Sequence, residues 1–107
     1  MSYHTYITTN SKRTTLYIGF TNNLELRIIE HYRNRGNPKT FAGRYHCYNL
    51  VWFEAHHRAD GGIQREKEIK KWRREKKIAL IEAYNPEWHF LNSDITVWPP
   101  EDGTRRF

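Results

Sequence analysis

The chain has 107 residues, the size of one domain, and its 37% apolar and 15% aromatic content describes a core built on large rings and excludes a disordered chain. A mean hydropathy of -0.94, no apolar run of about 18 residues and no signal-peptide core at the N-terminus exclude a helical membrane span and lead us to expect a cytoplasmic protein. The single Cys47 excludes an intrachain disulfide and any zinc site built on two or more thiolates, while a net charge of +6 with a pI near 9.6 directs attention to anionic partners, nucleic acid or an anionic membrane surface.

Residues 3–10 are dense in β-branched and aromatic side chains and predict a first strand. Residues 10–13 are polar and turn-like, and residues 15–20 return as a second strand. So short a connection predicts an antiparallel hairpin. Thr21, Asn22 and Asn23 end the strand. Asn22 is placed to cap a helix over about residues 23–34, with Glu25 three positions on as the other half of a capping box. Along that helix Leu24, Ile28 and Tyr32 recur every four residues as an apolar face, and Arg27 and His31 form a parallel stripe. A strand carrying Tyr17 therefore feeds a helix presenting a guanidinium and an imidazole, a combination suited to anion chemistry.

Residues 34–44 hold Gly36, Pro38 and Gly43 and read as a loop. With Arg35, Lys39 and Arg44 and no acid, it suits either a mobile phosphate-contacting loop or an ordinary surface connection. A third strand is predicted over about residues 48–56. Asp60 is placed to cap a second helix running to about residue 73. A third spans about residues 75–84 and stops at Asn85, which precedes Pro86. The basic surplus is concentrated here: residues 65–77 hold eight Lys or Arg against three Glu, which is five of the six net positive charges. Lys70 and Arg73 in this stretch suit a phosphate backbone; the plain alternative is a solvated basic helix. Residues 92–107, with Pro99-Pro100 and Asp102-Gly103, predict a loosely held tail. The whole reads as an α+β domain: a small three-stranded antiparallel sheet flanked by about three helices, in the order β-β-α-β-α-α.

One carboxylate stands apart. Glu66 lies three residues from Ile63 and from Ile69, on or beside the apolar face of a basic helix, whereas Glu68 turns outward. A carboxylate drawn toward a core needs a partner. A hard divalent cation such as Mg²⁺ is one candidate, since it is commonly held by one or two carboxylates with water and phosphate oxygens; an internal salt bridge to Arg27 or Lys70 is the other. Gly19, at a strand end, allows a backbone or a phosphate to approach closely, or simply meets the needs of a bulge or turn.

Tyr17-Ile18-Gly19, followed by Arg27 ten residues after the Tyr, resembles the GIY-YIG nuclease superfamily. The likeness extends over roughly residues 3–91 and is strongest to its short, stand-alone bacterial members, with residues 92–107 left outside that domain. Tyr6 matches the Tyr of the first motif, with His4 and Thr5 in place of Gly and Ile. The resemblance implies a metal-dependent endonuclease acting on DNA with one Mg²⁺ (or Mn²⁺). It gives Glu66 the metal, Tyr17 the role of general base, Tyr6 an orienting role, and Arg27 the charge that develops on the phosphate. His31 suits a hydrogen bond to a phosphate or to a catalytic Tyr, and equally a helix-surface His. Tyr45 suits substrate contact, and Asn85 resembles the family's late Asn. Where excision-repair members carry a Lys directly after the second motif, this chain has Phe20. Family members often add a DNA-recognition domain, and none is evident here, which leaves low specificity, a homodimer or a separate partner protein. The alternative function is a nucleic-acid-binding domain that keeps the nuclease fold without catalysis.

Overall fold

The computed structural model describes residues 2–100, and β1 (Tyr3–Thr9) is the centre of its sheet. It pairs antiparallel with β2 (Leu16–Thr21) on one side and with β3 (Asn49–His56) on the other, giving the order β2-β1-β3. The hairpin turn is closed by Asn10, whose side-chain oxygen accepts from the backbone N–H groups of Thr14 (2.8 Å) and Thr15 (3.0 Å). Opposite β1, the ladder slips between Ile7 and Thr8: Ile7 faces Trp52 and Thr8 faces Leu50, so Val51 is the extra residue of a bulge. The slip sends Val51 and Trp52 together into one core and Leu50 into the other.

Those two cores lie on opposite faces. Ile7, Ile18, Val51 and Trp52 pack with Ile69 of α3 (Ala59–Lys70) and Ile81 of α4 (Arg74–Tyr84). Tyr6 and Leu50 pack with Leu24 and Ile28 of α1 (Leu24–Arg33). The α+β class and the order β-β-α-β-α-α are as the sequence leads one to expect, with two single-turn helices added: α2 (Phe41–Arg44) and α5 (Asn92–Ile95).

Three local expectations are corrected. The cap of α1 is Asn23, not Asn22: its side chain accepts from Leu26 N–H at 3.1 Å. Thr21 accepts from Asn23 N–H at 3.0 Å, which carries the turn one residue further and leaves Glu25 too early for a capping box. Asp60 does not cap α3, which begins at Ala59; its carboxylate pairs with Arg58 at 3.2 Å and accepts from Gly61 N–H at 2.9 Å inside the first turn. There it still complements the helix dipole. The stretch beyond residue 91, expected as a loose tail, is held to the sheet through residue 98. Asn92 is buried, accepts from Leu50 N–H (2.8 Å) and donates to Tyr48 O (2.9 Å), while Trp98 meets Tyr32 edge-on at 5.2 Å. These bonds satisfy the outer edge of β3. The rest of that expectation, residues 101–107, lies outside the described residues.

Candidate active site

The register of the hairpin builds the site. Tyr6 on β1 faces Gly19 on the edge strand β2, and the two therefore point to the same face. Because residue 19 has no side chain, the phenol of Tyr6 lies across it. A Cβ there would sit 2.8 Å from Tyr6 Cε2 and closer still to Cζ and the hydroxyl. The Tyr6 hydroxyl thereby reaches α1 and meets His31 Nε2 at 2.7 Å. Tyr17 is two residues before Gly19 on β2, and its ring meets the His31 ring edge-on at 5.2 Å. The imidazole thus joins the two phenols, whose own rings are 6.3 Å apart.

Burial sets the protonation of this group. Tyr6 is fully buried, and its phenol is pushed well above the ordinary tyrosine range, first by burial, then by Tyr17; Glu66 adds to the shift, and Arg27 opposes it. His31 is held down to about 4 by burial and by the Arg27 charge. Both groups are thereby held neutral, and the direction of the Tyr6 hydroxyl–Nε2 bond is set by the tautomer of the imidazole. Tyr17, only half-buried, is the phenol that lines open space.

That space is a cleft of about 490 Å³ between α1 and the segment before and within α2, bordered by Tyr17, Arg27, His31, Arg33, Thr40 and Phe41. Arg27 is placed on it by the helical spacing of four from His31 and is steered by Glu30, whose carboxylate lies 3.3 Å from Nε. Glu66 comes from α3. Its side chain is only 19% exposed, and its carboxylate pairs with Lys70 Nζ at 2.8 Å, one helical turn on. The carboxylate is therefore turned away from bulk solvent and near enough to Tyr6 to raise its pKa.

The other sequence candidates are more dispersed. Lys39 and Arg44 are exposed on the segment leading into and through α2, with Arg44 reaching Pro38 O at 3.4 Å. Tyr45 is exposed and its ring lies 4.8 Å from that of Phe41. Arg73 is exposed beside Glu75 at 3.6 Å, so it lies on the surface of the α3–α4 turn. Asn85 is buried in a structural role. It donates to Val51 O (3.0 Å) and His89 O (2.9 Å), and accepts from His89 N–H (3.0 Å), which ties the end of α4 to β3. None of its hydrogen bonds is to a residue of the cleft. Phe20, in the place of the excision-repair Lys, stacks on Tyr3 at 5.9 Å and fills the space left by Gly62, where a Cβ would lie 2.5 Å from its ring.

Several cleft residues, Glu30, Arg33, Thr40 and Phe41 among them, carry no distinct signal in the sequence. Phe41 carries no polar atom and sits in a stretch with loop composition, so only its position after the capping Thr40 hints at an ordered ring. Glu30 has the ordinary look of a helix-surface acid. The segment between α1 and α2 is tied by its own hydrogen bonds. Thr40 accepts from Gly43 N–H (3.0 Å) and from Asn34 Nδ2 (3.2 Å), Asn37 donates to Asn34 Oδ1 (2.9 Å), and Gly36 N–H donates to Gly43 O (2.8 Å).

The chain is similar to known proteins over most of its length. The chain is 34% identical over 80 residues to the UPF0213 protein HQ_3675A of Haloquadratum walsbyi, covering 75% of this chain and 88% of that one. It is 38% identical over 73 residues to a UPF0213 protein of Syntrophus aciditrophicus, covering 68% and 82%. The solution NMR structure of the UPF0213 protein BH0048 from Bacillus halodurans superposes with a TM-score of 0.52 at 25% identity, over 82% of this chain and 90% of that one. Residues 2–79 match the family described as the GIY-YIG catalytic domain, a span that contains both phenols, the arginine, the imidazole and the inward glutamate. On that match the chain belongs to the GIY-YIG family of the nuclease superfamily.

Proposed function

We propose that the protein is a metal-dependent endonuclease that hydrolyses DNA phosphodiester bonds at the cleft between α1 and α2. The observation that carries this reading is the convergence of Tyr17, Arg27 and His31 on one open cleft, with Tyr6 bonded to His31 behind them.

The donor set fits a magnesium-type ion. Among the described residues no three His, Cys, Asp or Glu gather into a cage. Glu66 would offer one carboxylate, with water and phosphate oxygens completing the shell, as Mg²⁺ or Mn²⁺ accepts. Such an ion, when bound, polarises the scissile phosphate and offsets its charge. Lys70 is the present counter-ion of Glu66, and would have to yield or share the carboxylate.

The remaining work falls to the chain. Tyr17, the cleft-facing phenol, orients the attacking water and relays its proton, the phenol oxygen accepting it as the O–H proton passes to solvent in the open cleft. Arg27 stands on the cleft wall, where a forked guanidinium can bind the non-bridging phosphate oxygens and stabilise the charge that builds on them. Tyr6 keeps its own proton and orients His31, and His31 supports the ring of Tyr17. Gly19 leaves the room that this arrangement needs.

The test is cleavage of flap, nicked, forked and plain duplex DNA with and without Mg²⁺ or Mn²⁺. Activity should require the metal, fall to background in Glu66→Gln, and drop about 100- to 1000-fold in Arg27→Ala, with circular dichroism unchanged. If both variants cut as the parent does, the site is misplaced. A second reading, a nucleic-acid binder without catalysis, is favoured by the Lys70 ammonium held at 2.8 Å on the one candidate metal ligand. It is supported instead if no substrate is cut in either metal while salt-sensitive DNA binding survives Glu66→Gln.

A further inference from the structure

We propose that Phe41 and Tyr45 form a ledge on which an unpaired DNA base stacks beside the cleft, so that the substrate is single-stranded or flapped DNA and not uninterrupted duplex. The cleavage part of this inference rests on the nuclease reading; the binding part does not.

Phe41 is 52% exposed and Tyr45 42% exposed. A Phe ring left half in water forgoes part of the burial that stabilises such a side chain. Exposure here does not come from a slack loop. The Thr40 cap holds α2, and Gly43 is packed so closely that a Cβ would lie 2.7 Å from Asn37 O and from Thr40 Oγ1. The ring is held out on a stiff mount.

Its neighbours are aromatic all the way inward. Tyr45 lies 4.8 Å from Phe41; Phe41 lies 6.5 Å from Tyr17 with their planes within 26° of each other; Tyr17 meets His31 at 5.2 Å. A row of rings therefore runs from solvent to the proposed base. Every nucleobase has a π-face, so such a row accepts any base whose face is uncovered. In continuous duplex both faces of a base are covered by its neighbours, and access requires an end, a flap or a flipped nucleotide.

The charge around the ledge favours a polyanion. Between Glu30 and Glu54 the chain has no acidic residue, but it has Arg33, Arg35, Lys39 and Arg44. Arg35 is used internally, over the Tyr32 ring at 3.9 Å and donating to Tyr32 O. Arg33 on the cleft wall and the exposed Lys39 and Arg44 remain for phosphates. Aromatic platform plus basic flank is the combination that binds single strands.

The test uses the full chain carrying Glu66→Gln, with fluorescence anisotropy against a labelled single-stranded oligonucleotide and a blunt duplex of equal length at one salt concentration. Adding Phe41→Ala should weaken single-strand binding about 5- to 100-fold and change duplex binding less than about twofold. Phe41→Trp should retain affinity. Phe41→Leu, which keeps an apolar side chain but removes the π-face, should lose it, and circular dichroism should show all of them folded. Equal loss on both DNAs, or no loss for Phe41→Leu, overturns the ledge. If the wild-type protein cuts DNA but Phe41→Leu slows flap and duplex equally, the ledge falls and the nuclease reading stands. If nothing is cut, the binding ratio alone decides.

Discussion

At the residue scale, Gly19 controls more than its size suggests. Its missing side chain is what lets Tyr6 lie across the edge strand and reach His31. Gly19→Ala should therefore destabilise the fold by about 1–3 kcal/mol in urea unfolding, because the methyl must displace a fully buried ring. It should also cut nuclease activity far more than it lowers Tm, since the imidazole and Tyr17 lose their common partner. His31 makes a second prediction. Its pKa is near 4 in the fold against 6.5 ordinarily, because burial and then Arg27 resist its charge. Between those values the unfolded chain binds a proton that the folded chain refuses, so stability should fall as pH drops from 6.5 toward 4. His4 is shifted in the same direction by burial and by His56, so the comparison that isolates His31 is Tm against pH in His31→Gln, where the fall should be shallower.

At the element scale, α5 closes the sheet. Asn92 acts as a substitute for a neighbouring strand, accepting from Leu50 N–H and donating to Tyr48 O, while Leu91 N–H donates to Leu50 O at 2.7 Å. Asn92→Ala leaves a buried N–H and a carbonyl without partners and should cost about 1–3 kcal/mol in urea unfolding. If the cost is only a few tenths, the segment after residue 91 is an ornament rather than part of the domain. Composition concealed this element: Pro99-Pro100 and Asp102-Gly103 suggest a tail, and a single Asn gives no periodicity to read. The break between α3 and α4 falls within a few residues of where the sequence places it, although α4 starts at Arg74 without a side-chain cap. β1, β2 and α1 were legible too, since alternation of period two and a repeat of four are local signals.

At the scale of the whole molecule, the charge surplus of residues 65–77 is unevenly available. Arg65 is taken up by Glu54 (3.2 Å) and Glu68 (3.1 Å) and lies over Trp72 at 5.4 Å; Arg74 donates to Thr14 O at 2.8 Å; Lys70 holds Glu66. Arg73, with only an exposed pairing to Glu75, is better placed to meet a phosphate. Arg73→Ala should weaken DNA binding and reduce the slope of log K against log salt by about one. Arg65→Ala should lower Tm and leave that slope unchanged. Anisotropy titrations at several salt concentrations check both. The pairs that decide which cations are free join different elements, such as Arg65 with β3 and Arg74 with the hairpin turn, and no count along the chain reveals them.

By itself, then, the order of residues determined the strand that ends near Tyr17 and Gly19, the helix that follows with Arg27 and His31 one turn apart, and the α+β class, because each depends on neighbours within a few positions. Only the tertiary structure decided that Tyr6 and not Tyr17 bonds to His31, that Asn85 is a structural tie, and that Phe41 stands at the cleft. The physical reason is the sheet: side-chain direction across β1 and β2 is set by register, and register is a relation between strands. The Tyr6–His31 bond spans 25 positions and the Asn92–Leu50 bond 42, separations at which local pattern carries no information about contact.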